Sequence, residues 1–206
     1  VFPAAGPPAI DTFDTGGVVG EGNLALAHVG GEPTIVVPVD DGIQRLGFDG
    51  DTLARRWTSP AAGCGDNAGA SACIPVVADI DLDGVAEVVA GTTVYDGDDG
   101  SVETEGATPP DGWAAIGQFD TDAEAEVIVV HAGEVYALHH DMTVLWGPVD
   151  VDGIGGPPTV ADLDGDDEPE VALATSTGVV AIDTDGTLQW AGADGVLPSF
   201  DTTSPA

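Results

Sequence analysis

Short apolar runs separated by acidic or glycine-rich turns recur along the whole chain. Each run spans only a few residues and is rich in Val, Ile and Ala, and a helical periodicity of about 3.6 residues is almost absent. Short runs of this composition, bounded by Asp and Gly, are typical of β-strands joined by tight turns. The pattern therefore predicts an all-β protein with almost no helix.

The strand pattern repeats. Residues 126–146 (EVIVVHAGEVYALHHDMTVLW) align without a gap with residues 170–190 (EVALATSTGVVAIDTDGTLQW). Each copy contains three short apolar runs, the last ending in Trp, and a further apolar run followed by acidic residues precedes it. Each unit therefore predicts four strands, with a period of about 40 residues that is typical of a β-propeller blade. Four units are visible, at approximately 23–57, 74–102, 113–147 and 157–191.

The predicted fold is a β-propeller built of four-stranded antiparallel blades, with about four blades visible and partial blades at both termini. Residues 1–206 are treated as one propeller domain or propeller fragment. A β-sandwich is the alternative, but it does not explain the gapless repeat. The stretch 8–17 resembles a late strand of the repeat and 199–206 resembles an early acidic stretch. We expect a fragment, or a protomer completed by a neighbour, rather than two ends that complete one composite blade.

The charge of the chain restricts its partners. Its 206 residues include 37 acidic side chains and only 3 basic ones, which gives a formal net charge of −34. This charge excludes nucleic acid and anionic membranes as natural partners and favours cations. The expected macromolecular partner is an extracellular protein or a glycan, or further copies of the chain. Adaptation to a salty medium is another interpretation of the acidity.

The sequence also favours a location outside the cytoplasm. It shows no initiator Met, signal peptide or apolar run long enough to span a membrane, as expected for a processed soluble piece without membrane insertion. Cys64 and Cys73 lie in the loop 58–74, which is rich in small residues. They are predicted to form a disulfide in an oxidising compartment, with two free thiols as the alternative. The expected location is extracellular or on the cell surface.

The acidic stretches carry the candidate chemistry. In 79–87 (DIDLDGVAE) the acids fall at positions 1, 3, 5 and 9 of a loop, and 162–170 (DLDGDDEPE) repeats this spacing. Alternate side chains of a tight loop can turn towards one centre, and they offer only oxygen, which suits Ca²⁺ better than Mg²⁺. A simple Asp/Gly turn is the alternative, but it does not explain the recurrence at one place in the repeat. The two sets of predicted ligands are Asp79, Asp81, Asp83 and Glu87, and Asp162, Asp164, Asp166 and Glu170.

These loops resemble the FG-GAP or VCBS repeat, which is found in integrin α-subunit propellers and in many secreted bacterial proteins. The resemblance covers residues 23–191 and rests on the pattern D-x-D-x-D-G-x-x-[DE] before the second strand of a blade. It implies a calcium site in each of the two loops, with the backbone carbonyls of Val85 and Glu168 as additional ligands. In the second loop Asp167 replaces the usual Gly, which is acceptable because Asp adopts left-handed backbone conformations more readily than most residues.

The remaining two repeats depart from the pattern. The third repeat has Gln118 at the first loop position and Ala123 in place of the Gly. It is predicted to hold a weaker third site, with the ligands Asp120, Asp122, Glu126 and the Glu124 carbonyl. The first repeat keeps no acid at the ligand positions and is expected to bind no metal.

No catalytic set is recognisable in the sequence, because no nucleophile stands with a base and the histidines are scattered. His139 and His140 are interpreted as an exposed pair at a turn rather than a transition-metal site. The chain is predicted not to be an enzyme. The leading hypothesis is a secreted or surface-displayed calcium-binding propeller that serves adhesion, assembly or protein interaction, with Ca²⁺ stabilising its blades. The alternative is a carbohydrate-binding or carbohydrate-active module, such as a lectin or a polysaccharide lyase.

Overall fold

The structure is a computed structural model. The residues that it describes are 13–15, 24–39, 42–60, 66–67, 70–71, 74–109 and 111–192. Within these ranges every regular element is a β-strand, so the prediction of an all-β protein is confirmed.

Sixteen of the strands form four antiparallel sheets of four strands, and in each sheet the order of the strands follows the chain. Sheet I consists of β1 (Ala25–Val29), β2 (Glu32–Val39), β3 (Gly42–Asp49) and β4 (Thr52–Pro60). A small two-stranded sheet follows, formed by β5 (Asp66–Asn67) and β6 (Ala70–Ser71). Sheet II consists of β7 (Val76–Ala78), β8 (Glu87–Ala90), β9 (Thr93–Tyr95) and β10 (Val102–Glu105). Sheet III consists of β11 (Trp113–Gly117), β12 (Glu126–His131), β13 (Glu134–Leu138) and β14 (Val144–Asp150). Sheet IV consists of β15 (Thr159–Ala161), β16 (Glu170–Ala174), β17 (Val179–Ile182) and β18 (Leu188–Gly192).

The hydrophobic core lies between successive sheets. In sheet II, Val88 packs with side chains of sheet I, whereas its neighbour Val89 packs with side chains of sheet III. In sheet III, Val127 packs towards sheet II and Ile128 towards sheet IV. Successive side chains of a strand point to opposite faces, so a strand that is covered on both faces is apolar at every position. This is why the central strands appear in the sequence as unbroken apolar runs.

The first strands of the sheets are neighbours. Strand β1 contacts β7, β7 contacts β11, and β11 contacts β15. The sheets therefore stack face to face in chain order with their first strands side by side, and none of them closes into a barrel.

Two tryptophans connect neighbouring sheets through the same contact. Trp57 in β4 is buried, and its indole Nε1–H donates to the carbonyl oxygen of Gly97 in the turn between β9 and β10, at 2.8 Å. Trp146 in β14 donates in the same way to Thr184 O in the turn between β17 and β18, also at 2.8 Å. The Trp57 ring lies against Gly100, where a Cβ would come within 2.6 Å of the indole. These turns are thus shaped to accept an indole from the preceding sheet.

An ion-pair network fixes the outer part of sheet I. Glu32 accepts hydrogen bonds from Arg56 Nε and from Arg45 Nη2, the latter at 3.2 Å. The hydrogen bonds from Arg56 are the main cause that lowers the pKa of Glu32 to about 2. Arg45 is buried and also donates to Gly97 O at 3.1 Å, so it connects sheet I to the same turn that Trp57 contacts.

The contact of Trp57 with the next sheet predicts a large effect on stability. Trp57→Ala should lower the free energy of unfolding by about 3–5 kcal/mol, because it leaves a cavity at the junction of sheets I and II. Trp57→Phe keeps an aromatic ring but loses the indole N–H donor, so it should lower the free energy of unfolding by only about 1 kcal/mol. Urea denaturation of each variant measures both values.

Val102→Ala on the exposed part of β10 is the control and should stay within about 0.5 kcal/mol of the unsubstituted protein. A Trp57→Ala variant no less stable than this control would contradict the role of the indole.

Candidate metal centre

Three groups of acidic side chains converge, one in each of sheets II, III and IV. Each group lies where the loop after the first strand of a sheet meets the second strand. Within each group one potential ligand atom per residue lies within 4.8 Å of all the others. The groups are Asp79, Asp81, Asp83 and Glu87 in sheet II, Asp120, Asp122, Glu126 and His139 in sheet III, and Asp162, Asp164 and Glu170 in sheet IV.

A buried glutamate closes each group. Glu87, Glu126 and Glu170 are the first residues of β8, β12 and β16, and their exposed fractions are 1%, 0% and 0%. One carboxylate oxygen of each accepts a hydrogen bond from the backbone N–H at the second loop position, at 2.7, 2.5 and 2.5 Å. The donors are, in the same order, Ile80, Phe119 and Leu163. The glutamate therefore holds the start of the loop and places its second oxygen towards the other acids.

Hydrogen bonds between side chains and backbone shape the sheet II loop. Asp81 Oδ1 accepts from the N–H of Asp83 at 3.0 Å, and Asp79 Oδ2 accepts from the N–H of Gly84 at 3.2 Å. Gly84 has φ of +95°, a conformation that an L side chain rarely adopts. These contacts curl the loop so that its carboxylates face one another.

The sheet IV loop has the same form with different residues. Asp162 accepts from the N–H groups of Gly165 and Asp167, at 2.6 and 3.3 Å. Asp167 has φ of +72°, which confirms the prediction that Asp can replace the usual glycine here. The converging group does not include Asp166, whose carboxylate accepts from the N–H of Glu168 at 2.9 Å.

The sheet III loop is built differently. Gln118 occupies the first position, and its amide Nε2 donates to the carbonyl oxygens of Asp120 and Asp122, at 3.3 and 2.7 Å. In place of a first-position carboxylate, the group gains His139, whose Nδ1 lies 3.4 Å from Asp120 Oδ2. His139 lies at the turn after β13, as expected, but the sequence did not reveal that its side chain, which is 29% exposed, faces the acids. The position of His139 could have indicated this contact, because His139 follows Leu138, and Leu138 pairs with the residue next to Glu126.

Several carboxylate oxygens in these groups are buried without a hydrogen-bond partner. They are Asp79 Oδ1, Glu126 Oε1, Asp164 Oδ1 and Glu170 Oε1. Buried polar atoms are nearly always satisfied in native proteins, so an unsatisfied oxygen in each of the three groups indicates that each could hold an ion. Two carboxylates about 5 Å apart repel by roughly 3 kcal/mol at an effective dielectric constant near 20, which a cation would offset. The residues present therefore fit a metal ion in each group.

Burial shifts the protonation of the closing glutamates. Desolvation raises the pKa of Glu87 to about 7, and it also raises the pKa of Glu126 and of Glu170. Neighbouring acids add to the effect; Asp81 does so for Glu87. Without a cation these carboxyls consequently hold protons at a higher pH than usual.

The loops of sheets II and III are directly bonded. The backbone N–H of Ala125, just before Glu126, donates to Ile80 O at 2.9 Å, and Ile80 is the residue whose N–H binds Glu87. The residue at the position of Ala125 in sheet IV is Pro169, which has no N–H. The connection present between sheets II and III is therefore not available to the sheet IV loop.

Some predictions are not settled by this geometry. Cys64 and Cys73 lie outside the described residues. The backbone carbonyls of Val85, Glu124 and Glu168 stay predicted ligands. Among the residues that the structure describes, no helix has the length and apolar character needed to cross a membrane.

Comparison with known proteins identifies similar structures only. No family model and no curated protein matches the chain. Among solved structures, the exotype rhamnogalacturonan lyase YesX matches with a TM-score of 0.60 and 21% identity over 82% of this chain and 31% of its own. The Bacillus licheniformis rhamnogalacturonan lyase PL11 matches with a TM-score of 0.58 and 22% identity over 82% of this chain and 30% of its own. BBS1N, solved in complex with ARL6DN, matches with a TM-score of 0.55 and 14% identity over 80% of this chain and 54% of its own.

These likenesses show a shared fold. The chain spans about a third of the length of the lyase structures that it matches. They also correct one prediction: the expectation that the chain is not an enzyme is contradicted, because its fold occurs in proteins named as lyases. A sequence without a recognisable catalytic set does not exclude activity in this fold.

The raised pKa of Glu87 predicts how the metal-free protein responds to pH. Its carboxyl keeps a proton up to about pH 7 in the folded protein, against 4.5 ordinarily. The contribution of Glu87 to stability is thus fully present below pH 4.5 and is lost as the pH rises through 7. Thermal denaturation in a chelator should give a lower Tm near pH 8 than near pH 5.

Glu87→Gln, which mimics the protonated carboxyl, should reduce this difference, whereas Glu105→Gln on exposed β10 should leave it unchanged. If Glu87→Gln and Glu105→Gln show the same pH dependence, Glu87 is not the group that titrates.

Proposed function

We propose that this chain is a calcium-binding β-propeller module of a carbohydrate-active protein, in which Ca²⁺ ions order the loops of sheets II and IV. The observation that carries the proposal is the recurrence of one oxygen-lined loop at the same place in these sheets, closed each time by a buried glutamate. The resemblance to FG-GAP or VCBS repeats is part of the proposal.

The ligand chemistry supports calcium in these two loops. Their converging groups offer only carboxylate oxygens, and Ca²⁺ takes six to eight oxygens at about 2.3–2.6 Å in flexible geometry. The carbonyls of Val85 and Glu168 would add ligands from the loop backbone. Mg²⁺ retains its water molecules and requires a stricter octahedron, so it suits a flexible carboxylate loop less well.

The packing of the sheets supports a propeller. The first strands of four sheets lie side by side in chain order, and each core lies between one sheet and the next. A radial array of four-stranded sheets has this arrangement, with the first strand of each blade nearest the axis.

The structural neighbours favour carbohydrate chemistry over adhesion. Three of them are named as rhamnogalacturonan lyases, with TM-scores from 0.56 to 0.60. The adhesion or assembly function that the sequence suggested gains no support from these neighbours. We therefore place the chain with proteins that bind or cleave acidic polysaccharides, for which bound calcium would offset the negative charge of the chain, and its extracellular location is part of the same proposal.

A calcium ion would act here by stabilising the loops. An ion that binds only the folded chain adds about 1.4 kcal/mol per site at a tenfold excess over its dissociation constant. This is a substantial share of a typical domain stability of about 5–15 kcal/mol. Loops ordered in this way would present a fixed surface to a saccharide.

Calcium binding can be tested one loop at a time. Adding CaCl₂ to the metal-free protein should raise its Tm, and isothermal titration calorimetry should show binding in the range of about 10⁻⁴–10⁻³ M that is common for extracellular modules. Asp81→Asn and Asp164→Asn should each remove one site, since Asn keeps the shape of the side chain and loses the charge.

Asp51→Asn removes one negative charge in the exposed turn between β3 and β4, away from these loops. It should change neither the calcium-dependent rise in Tm nor calcium binding in calorimetry. Equal calcium binding by all three variants would refute the assignment of these loops.

The carbohydrate part requires a separate measurement. Rhamnogalacturonan oligosaccharides should bind the calcium-loaded chain in calorimetry, and a chelator should weaken the binding. Ultraviolet absorbance of the unsaturated product that an eliminating lyase leaves tests for cleavage in the same samples. Cello-oligosaccharides, which carry no acid group, serve as the control and should not bind. If neither binding nor product is detected with calcium present, the carbohydrate assignment is wrong.

A further inference from the structure

The sheet III group differs from its two counterparts in containing a nitrogen donor. His139 directs Nδ1 at two carboxylates, at 3.4 Å from Asp120 Oδ2 and 3.9 Å from Glu126 Oε1. Asp122 completes the group, and all four donor atoms lie within 4.8 Å of one another. The described part of the chain has no histidine in either of the other two groups.

The difference arises from two replacements at fixed positions of the repeat. After the third strand, sheets II and IV carry Asp96 and Asp183 where sheet III carries His139. At the first loop position Gln118 replaces an aspartate, and its amide caps two backbone carbonyls instead of facing the other ligands. Asp96 and Asp183 lie outside the converging groups of their own sheets, so the two replacements remove one carboxylate from the group and add one imidazole.

The loop backbone of sheet III differs accordingly. The other loops contain residues with positive φ, such as Gly84 at +95° and Asp167 at +72°. Thr121 and Ala123, within the sheet III loop, keep negative φ. The sheet III loop therefore differs from the other two loops both in its backbone conformation and in its potential ligands.

A second observation points to a ligand at this place. Glu126 is completely buried, and its Oε2 accepts the Phe119 N–H while its Oε1 has no hydrogen-bond partner. That unpaired oxygen faces the group, since it is the oxygen 3.9 Å from His139 Nδ1. A buried carboxylate oxygen in this position is compensated either by a proton or by a positive partner at bonding distance.

We propose that the sheet III group binds a divalent transition-metal ion of the Zn²⁺ class, with His139 Nδ1 as a ligand beside Asp120, Asp122 and Glu126. Imidazole suits Zn²⁺, Ni²⁺ and Cu²⁺, whereas sites for Ca²⁺ use oxygen. Two ligands of a tetrahedral zinc ion with bonds of about 2.0–2.1 Å lie roughly 3.3 Å apart. The separation of 3.4 Å between His139 Nδ1 and Asp120 Oδ2 agrees with this value.

The inference is independent of the proposed calcium and carbohydrate functions, since it concerns a group with different ligands. The sequence predicted a weak third calcium site in this repeat, and the proposal assigns the same group to another class of metal. A chain of this design would bind two kinds of metal in neighbouring sheets.

The test is a titration of the folded chain with Zn²⁺ by isothermal titration calorimetry. About 10 mM CaCl₂ is present throughout, an excess over the roughly 10⁻³ M dissociation constant of a weak calcium module, so that the oxygen-only loops are occupied. His139→Ala should weaken Zn²⁺ binding at least roughly tenfold, or remove it. His28→Ala, which removes an exposed histidine from β1, is the matched control and should bind Zn²⁺ as the unsubstituted chain does.

A second variant keeps the test informative if His139→Ala folds poorly. His139→Asp restores the carboxylate that sheets II and IV carry at this position, so it should bind Zn²⁺ more weakly and gain affinity for Ca²⁺. With Co²⁺ as a probe, the visible absorption of the unsubstituted chain should indicate a nitrogen ligand, and His139→Asp should lose that feature.

Two outcomes would overturn the proposal. One is Zn²⁺ binding that is equal in the unsubstituted chain and in both His139 variants. The other is no Zn²⁺ binding by the unsubstituted chain, which would leave His139 as an internal counter-charge for the carboxylates. Failure of the calcium or saccharide experiments would not affect either readout.

Discussion

The architecture depends on a carboxylate that is buried at the entrance of an apolar strand. Glu87 and Glu126 start strands whose following residues are covered by neighbouring sheets on both faces, and Glu170 starts a strand that packs against sheet III on one face. Burying a charge there is costly unless something compensates it. One oxygen of each glutamate is compensated by a backbone N–H, which fixes the loop, and the other is directed at further acids. The same interaction therefore sets both the loop geometry and the demand for a cation.

The protein compensates carboxylates that lie in polar clusters in two opposite ways. Glu32 is surrounded by arginines, which hold its pKa near 2, so it needs no ion. The acids of sheets II, III and IV have no such partners in the described chain apart from His139, and burial raises the pKa of their glutamates. All three arginines of the sequence lie in sheet I, at positions 45, 55 and 56. The acid of sheet I is thus compensated by the chain's own arginines, while the acid groups of the other sheets could be compensated by a metal ion or by protons.

Much of this organisation is readable from the sequence, because it depends on local repeats. The unbroken apolar runs, the acidic spacing and the left-handed position of Asp167 follow from rules that act within a few residues. The contacts that the sequence did not reveal join distant segments. His139 reaches its group from the far end of β13, and the indole of Trp146 binds a turn in the next sheet. Asp166 fits the spacing rule, but its carboxylate does not join the converging group, whereas the equivalent Asp83 does. The expectation that the chain is not an enzyme rested on local patterns, and a fold shared with lyases leaves no such pattern in this chain.

The bond from Ala125 to Ile80 has a consequence for how the ions act together. Ile80 donates its N–H to Glu87 and accepts at its carbonyl from the loop that leads into Glu126, so the two glutamates are connected through the backbone of one residue. If both groups hold an ion, occupancy at sheet II and occupancy at sheet III would be linked through this residue, and the linkage would be reciprocal. Pro169 removes the corresponding backbone donor at sheet IV, whose loop meets sheet III instead through Thr184, the residue that Trp146 contacts. A single proline thus changes how one repeat is coupled to the repeat before it.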